Sequence, residues 1–262
     1  MIYKKFNNRI IINANLITIS PLYIGARTDS FKPGTINGSC LKDAFGRPFI
    51  PGSSLKGVLR AFLAGIDDYD CNQCNKEKTT ADFRTKPQRE NEVREAREKE
   101  GEKYKDLSDD EILYELITNA STTVEFLFGS NVMAGKIKIS DALPVDDQIN
   151  TDVRNGVAID RDTRTALGGA LYNTEVVPAG TFFNFLASAD NLLPKEINIF
   201  GKLMDYFAEG NIIVGGRSRS GLGNIMLRDV EVIKYLITNE EFPTPKKEKC
   251  NKSIWEALIN VQ

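Results

Sequence analysis

Residues 50–60 read IPGSSLKGVLR. Proline and glycine break the chain, two serines follow, and apolar residues at Leu55, Val58, Leu59, Phe62 and Leu63 then predict a helix from about Ser53 to Ala64. Ser53 or Ser54 is the expected N-cap, because a hydroxyl accepts from the free N–H groups that open a helix. Those groups carry partial positive charge, and Lys56 adds a full one in the first turns. A cation there opposes the helix dipole, so the stretch points to an anion.

What flanks this helix decides the fold class. Upstream, RIIINANLITISPLYI (residues 9–24) is rich in β-branched residues and predicts a strand stopped by Gly25. Residues 25–52 read as a long irregular loop, with a short strand at Phe49 and Ile50. Such length is usually functional. Downstream, TTVEFLFGS and GKIKISDALPV predict a strand pair or a strand and its approach, and TFFNFLASA predicts another strand. Residues 194–208 predict a helix with apolar positions at Ile197, Phe200, Leu203, Met204 and Phe207, and GNIMLRDVEVIKYL the last strand. Without insertions the order is β, α, β, β, α, β, the ferredoxin-like order also used by the RNA-recognition motif. The fold class is α+β.

Three segments stand outside that core. Residues 66–121 form an insertion that holds DDYDCNQCNKEK, the charged run ENEVREAREKEGEKYKD and a helix capped near Ser108. The charged run reads as a solvated helix with i, i+4 pairs or as a disordered stretch. Residues 150–181 hold GVAIDRDTRTALGGALYNTEVVPAG, a protruding hairpin with charge at its tip and Val, Ile, Leu and Tyr172 in its stem. Residues 239–262 form a C-terminal extension whose Trp255 anchors an amphipathic helix on the core or on a neighbouring subunit, the core being the better expectation.

Composition narrows the chemistry. A chain of 262 residues, 41% hydrophobic, buries a sizeable core. No apolar run spans a bilayer and no signal peptide is visible, so the expectation is a cytoplasmic protein without a membrane partner. Four unevenly spaced cysteines agree with a reducing compartment. The net charge is −2, and the segment from Arg84 to Glu111 supplies it all with 8 lysines and arginines against 10 carboxylates. Elsewhere the signs balance and basic residues gather in loops, at Arg161 and Arg164 and at Arg217 and Arg219. Histidine is absent. That removes Ser-His and Cys-His catalysis, histidine acid/base cleavage of RNA and every histidine metal site.

VGGRSRSGLGNI (residues 214–225) combines glycines at 215, 216, 221 and 223 with Arg217 and Arg219, interleaved with serines. Glycines bring backbone close to a ligand, and forked guanidiniums with hydroxyls suit phosphate oxygens. A P-loop is excluded, since no Lys-Ser or Lys-Thr enters a helix. The alternative is an exposed turn with incidental arginines. For the 150–181 hairpin, the alternative is a solvated loop with internal ion pairs.

In this order, IPGSSLKGVLR, GVAIDRDTRTALGGALYNTEVVPAGTFF and GGRSRSGLGNI resemble the RAMP superfamily of CRISPR proteins, and within it the backbone subunit of type III effector complexes. With LFGS and KISDA between them they cover most of residues 22–228. The resemblance implies a single domain over residues 1–262 with a modified RNA-recognition-motif core. It implies copies stacked head to tail with other effector subunits, a guide crRNA along a basic groove, and a complementary target RNA. The 150–181 hairpin matches the family's thumb, which intrudes between guide and target. Ser53, Ser54, Lys56 and Arg60, Arg161 and Arg164, and Arg217 and Arg219 match its RNA-binding positions. The anion at the opening stretch would then be guide phosphate.

The sequence departs from the family at one place. Cleaving members carry a catalytic aspartate in the loop before the first helix, and alignment on GTINGSCLKD (residues 34–43) puts Asn37 there. An amide has no negative charge, cannot act as a base, and is a poorer Mg²⁺ ligand than a carboxylate. Binding without cleavage, or with slow cleavage, is expected, and Mg²⁺ matters only if cleavage survives. Asp29 and Asp43 share that loop, where aspartate is more often a turn-former. Cys71 and Cys74 form CxxC, half a zinc site, the alternative being a turn with two reduced thiols. RNA binding itself requires no cofactor. Other readings are an active metal-dependent endoribonuclease, a guide-processing nuclease disfavoured by the missing histidine, and an end-capping structural subunit.

Overall fold

The computed structural model describes residues 6–26, 38–66, 78–160, 162–236, 245–249 and 253–259. Alternation of apolar and polar residues in IIINANLIT makes β1 (Asn8–Thr18) a strand with one buried face, carried by Ile10, Ile12 and Leu16. It is the middle of a five-stranded antiparallel sheet with β2 (Ile137–Ile139), β5 (Phe182–Asp190), β6 (Ile225–Leu236) and β7 (Pro245–Lys249), in the order β2-β5-β1-β6-β7. In register, Leu16 faces Phe183 on one side and Leu227 on the other, and β6 carries an extra residue between Arg228 and Glu231, a β-bulge opposite Asn13–Asn15.

Two helices cover the apolar face. From α1 (Gly52–Ala64) Leu55, Leu59 and Leu63 enter the core, and from α5 (Pro194–Ala208) Ile199, Phe200, Leu203, Met204 and Phe207 do so. A short α6 (Ile254–Ile259) adds Ile254, Ala257 and Leu258. It lies so close to α5 that a Cβ at Gly201 would fall 2.9 Å from the Trp255 Cα. Asp205 accepts from Ser253 and from the Ile254 and Trp255 N–H groups, which fixes the start of α6. The apolar anchor is thus Ile254 with Leu258, while half-buried Trp255 donates its indole N–H to Asn198.

A second, small core sits apart. Val93 of α2 (Lys86–Lys99), Tyr104, and Ile112 of α3 (Asp109–Ala120) form it, flanked by Leu107, Leu113 and Leu116. The charged run is therefore helical as far as Lys99 and turns beyond it, with Lys86–Glu90 and Arg94–Glu98 pairs on the exposed side of the helix. Ser108 caps α3 reciprocally with Glu111. β3 (Asp152–Ile159) and β4 (Ala166–Val176) form a separate two-stranded antiparallel sheet, the hairpin the sequence predicts.

Three expectations are corrected. TTVEFLFGS is not a strand but α4 (Thr123–Phe128): Thr122 and Glu125 make a capping box, and Gly129 at φ 94° ends the helix. β-branched composition hid that signature. Second, PKKEK within the hydrophilic tail is a lysine-rich edge strand, β7, a composition that discourages pairing with other chains. Third, neither Ser53 nor Ser54 caps α1, whose N-cap is Pro51. The Asp141 carboxylate accepts from Gly52 N–H at 2.7 Å instead.

Candidate nucleic-acid interface

The ends of β1 and β6 and the base of the hairpin meet around one side chain, Tyr23. After β1 the chain pairs Leu22 with Val177 and Gly25 with Cys40, which brings Tyr23 between the hairpin base and the glycine-rich loop. Four glycines leave room for it. A Cβ at Gly25 or Gly38 would lie 2.9 or 2.8 Å from the Tyr23 hydroxyl, one at Gly216 3.2 Å from its ring, and one at Gly215 2.4 Å from its carbonyl oxygen. Gly215 also sits at φ 87°, where only glycine is unstrained.

That loop is rigid. Gly216 N–H donates to the Tyr23 carbonyl and Gly223 N–H to that of Pro21, with a 3₁₀ turn over Ser218–Ser220 between them. Arg217 takes a left-handed conformation, φ 59°, and its guanidinium stacks 4.7 Å from the Tyr172 ring centre and 5.5 Å from that of Tyr23. Tyr172 in turn lies across Gly156, where a Cβ would come within 2.1 Å of the ring. Arg217 is therefore a stacked, half-buried link between loop and hairpin, and the exposed Arg219 beside it is the freer cation.

At the hairpin base, Glu175 is 5% exposed and accepts from Cys40 N–H at 2.9 Å, Lys42 Nζ at 2.6 Å and the Thr151 hydroxyl. Burial works to raise its carboxyl, but the hydrogen bonds from Lys42, Thr151 and Cys40 together with the Lys42 charge hold it below the ordinary range. Glu175 N–H also donates to Gly38, and Gly38 N–H to Asn173. The loop is thereby pinned to β4 at the residue that follows Asn37. Asn37, Asp29, Arg161, Cys71 and Cys74 lie outside the described residues.

Cys40 is a structural thiol, pushed up to about 11 by burial and by the nearby Glu175 charge. Asp43 is a turn-former, accepting from the Phe45 and Arg47 N–H groups and from the Arg47 side chain. At the hairpin tip, Asp160 accepts from Asp162 and Thr163, and Arg164, exposed at φ 55°, follows. Among the described residues no three cysteine or carboxylate side chains form a metal cluster.

The α1 N-terminus lies at the same end of the sheet, since Ile50 bridges to Ala142 and Pro144 to Phe183 at the start of β5. Lys56 does not wait there for an anion. Its ammonium donates to the Ile137 carbonyl at 2.8 Å, and burial, then the Arg60 charge, lowers its pKa. With Asp141 on Gly52, the chain itself answers the opening stretch. Ser53 and Arg60 remain exposed and Ser54 is half-buried. Tyr23, Asp141 and Glu175 are the positions sequence reasoning missed. The signal for Tyr23 is the spacing of glycines around it. The partners of Asp141 and Glu175 are remote in sequence and leave no local trace.

The family model described as the RAMP superfamily matches residues 15–226. The chain is also 26% identical over 240 residues to a Methanocaldococcus jannaschii protein named CRISPR system Cms endoribonuclease Csm3, an alignment covering 86% of this chain and 81% of that one. Among the described residues no helix is long and apolar enough to cross a membrane.

Proposed function

The chain belongs to the RAMP superfamily, and from that premise we propose that it is a guide-RNA-binding backbone subunit of a type III CRISPR effector complex in the cytoplasm. It stacks with copies of itself and other effector subunits along the crRNA and positions complementary target RNA. The observation that carries the reading is the junction at Tyr23, where the glycine-rich loop, the hairpin and the Gly38 loop are held together by Arg217 and Glu175. A rigid basic loop beside a projecting hairpin suits recognition of an RNA by shape and charge, with base pairing reading sequence. The strand order β6-β1-β5-β2 with α1 and α5 on one face supports a ferredoxin-like core, and β3–β4 serves as the thumb.

In this reading Ser53, Ser54, Arg60, Arg161, Arg164 and Arg219 face RNA, and Arg217 and Lys56 act mainly by holding the surface that does. Cleavage is absent or slow because Asn37 stands where cleaving members carry aspartate. Asp43 does not fit a magnesium ligand, its carboxylate being committed to its own turn. Cys40 is committed to the hairpin base, buried with its thiol donating to the Glu175 carbonyl, so zinc on Cys71 and Cys74 would need other ligands. RNA binding by these groups requires no cofactor.

The name of the relative, an endoribonuclease, favours active cleavage as the second reading. Both are tested with the assembled complex, a complementary RNA and magnesium. Guide-dependent oligomers, silent in wild type and cutting at regular intervals in Asn37→Asp, are expected. A protein that stays monomeric with guide and partner subunits overturns the assignment. Wild-type cuts lost in Asn37→Ala would make this chain the nuclease.

A further inference from the structure

A polar cavity of about 400 Å³ lies between α1 and the insertion, away from the Tyr23 junction. Arg60 enters from α1 and Arg84 from the insertion, and Ser130, Asn131 and the backbone of residues 129–135 complete the wall. Both arginines are exposed, and among the described residues neither has an ion-pair partner. The one carboxylate at the cavity, Glu125, is 7% exposed, and its oxygens already accept from the Thr80 hydroxyl and from Thr122 N–H. The lining therefore carries two forked cations without described ion-pair partners against one buried carboxylate, an excess of positive charge.

The walls are fixed. Arg84 ends the 3₁₀ turn Thr80–Phe83, which the Thr80–Glu125 bond ties to α4 and fully buried Phe83 anchors. The opposite wall is a tight turn closed by Ser130 N–H donating to Met133, in which a Cβ at Gly135 would fall 2.3 Å from the Phe128 carbonyl carbon. Arg60 sits one helical turn beyond Lys56, close enough for its charge to lower the Lys56 pKa. Lys56 is committed to Ile137, so Arg60 is the cation that face of α1 has left to offer.

We propose that this cavity is a second RNA phosphodiester site, in which the insertion supplies Arg84 opposite Arg60. Two guanidiniums with a hydroxyl and an amide match the oxygens of a phosphodiester, and such forks hold phosphate more specifically than a lysine does. The assignment rests on the RNA-binding reading above and gives the insertion a part in it.

The test measures binding of a labelled single-stranded RNA by the full-length protein as a function of salt, for wild type, Arg60→Gln, Arg84→Gln, the double variant and Arg219→Gln. One phosphate contact contributes about 0.7 to the slope of log K against log salt on a single strand, about fourfold in affinity near 0.15 M salt. Arg84→Gln is expected to lose about that much, with an unchanged melting temperature since Arg84 is exposed. The double variant is expected to lose less than the two singles combined, because both forks hold one group. If Arg84→Gln matches wild type while Arg219→Gln weakens binding, the cavity site is wrong and the functional reading stands. If Arg84→Gln leaves RNA binding intact but abolishes self-association, the cavity takes an acidic protein segment and the proposal falls. If wild type itself ignores RNA, the functional reading fails and this inference with it.

Discussion

Replacing Glu175 tests whether the hairpin base is held as described. Its carboxylate is 5% exposed and serves three donors, Cys40 N–H, Lys42 Nζ and the Thr151 hydroxyl. Removing one partner of a buried ion pair costs about 3–5 kcal/mol, because the donors left behind lose both partner and water. The Lys42 side chain is 37% exposed and rehydrates, so Glu175→Ala falls at the lower end, about 3 kcal/mol. At about 2–4 °C per kcal/mol for a chain of this size, the melting temperature drops by about 6–12 °C. Glu175→Gln keeps one acceptor and loses about half as much. The sign with pH follows from the depressed carboxyl. The folded protein binds this proton less readily than the unfolded chain, so the stabilisation is complete above the ordinary value of 4.5 and is lost as pH falls through the lower folded value. The gap between wild type and Glu175→Gln, read by circular dichroism melts at pH 7 and at a series of acid pH values, should close on the acid side. A Glu175→Ala protein that melts with wild type, or a gap that widens toward acid, refutes the clamp.

Two further substitutions probe the rest of the framework. Asp141→Ala removes the carboxylate on Gly52 and should cost about 1 kcal/mol, or about 2–4 °C in melting temperature, with Asp141→Asn intermediate; equal melting of all three proteins would show that this cap carries no weight. Lys136 and Glu196 form a buried pair at 2.6 Å, so Lys136→Met alone should cost about 3–5 kcal/mol in urea unfolding. Adding Glu196→Met should recover most of the loss, short by about 1 kcal/mol because Glu196 also accepts from Leu193 N–H; no recovery would mean that packing, and not charge, governs the site.

The elements most legible in sequence are those whose periodicity and termini agree. The helix over 194–208 carries a full apolar stripe behind Pro194 and occurs with those bounds. The 150–181 hairpin reads from its charged tip and apolar stem. TTVEFLFGS misleads because six residues hold both β-branched composition and a capping box, and over so short a span the reciprocal Thr122–Glu125 bonds outweigh propensity. Arg217 and Arg219 look equivalent on the page, yet the left-handed backbone and two tyrosines set one apart as a stacked link. The α1 entry shows the limit most clearly. Local rules ask for a serine cap and an external anion, but a Cβ at Gly52 would fall 2.2 Å from the Ile139 carbonyl oxygen. That crowding sets the helix start against β2, where Asp141 and Ile137 lie within reach and supply the partners.

The two-stranded sheet also behaves as a pointer. Ten residues of extended chain separate Val176 from Ala166, about 33 Å at about 3.3 Å each. At that radius a tilt of about 5° at the base carries the tip about 3 Å sideways, close to the stacking distance of neighbouring bases along one strand, about 3.4 Å. If the hairpin serves as the proposed thumb, placing its tip to within one such step tolerates only a few degrees of error at its root. The Glu175 clamp, the Arg217 stack and the Leu22–Val177 bridge all grip the root. They set the aim of the hairpin, and a change at any of them would register as inaccuracy many ångströms away.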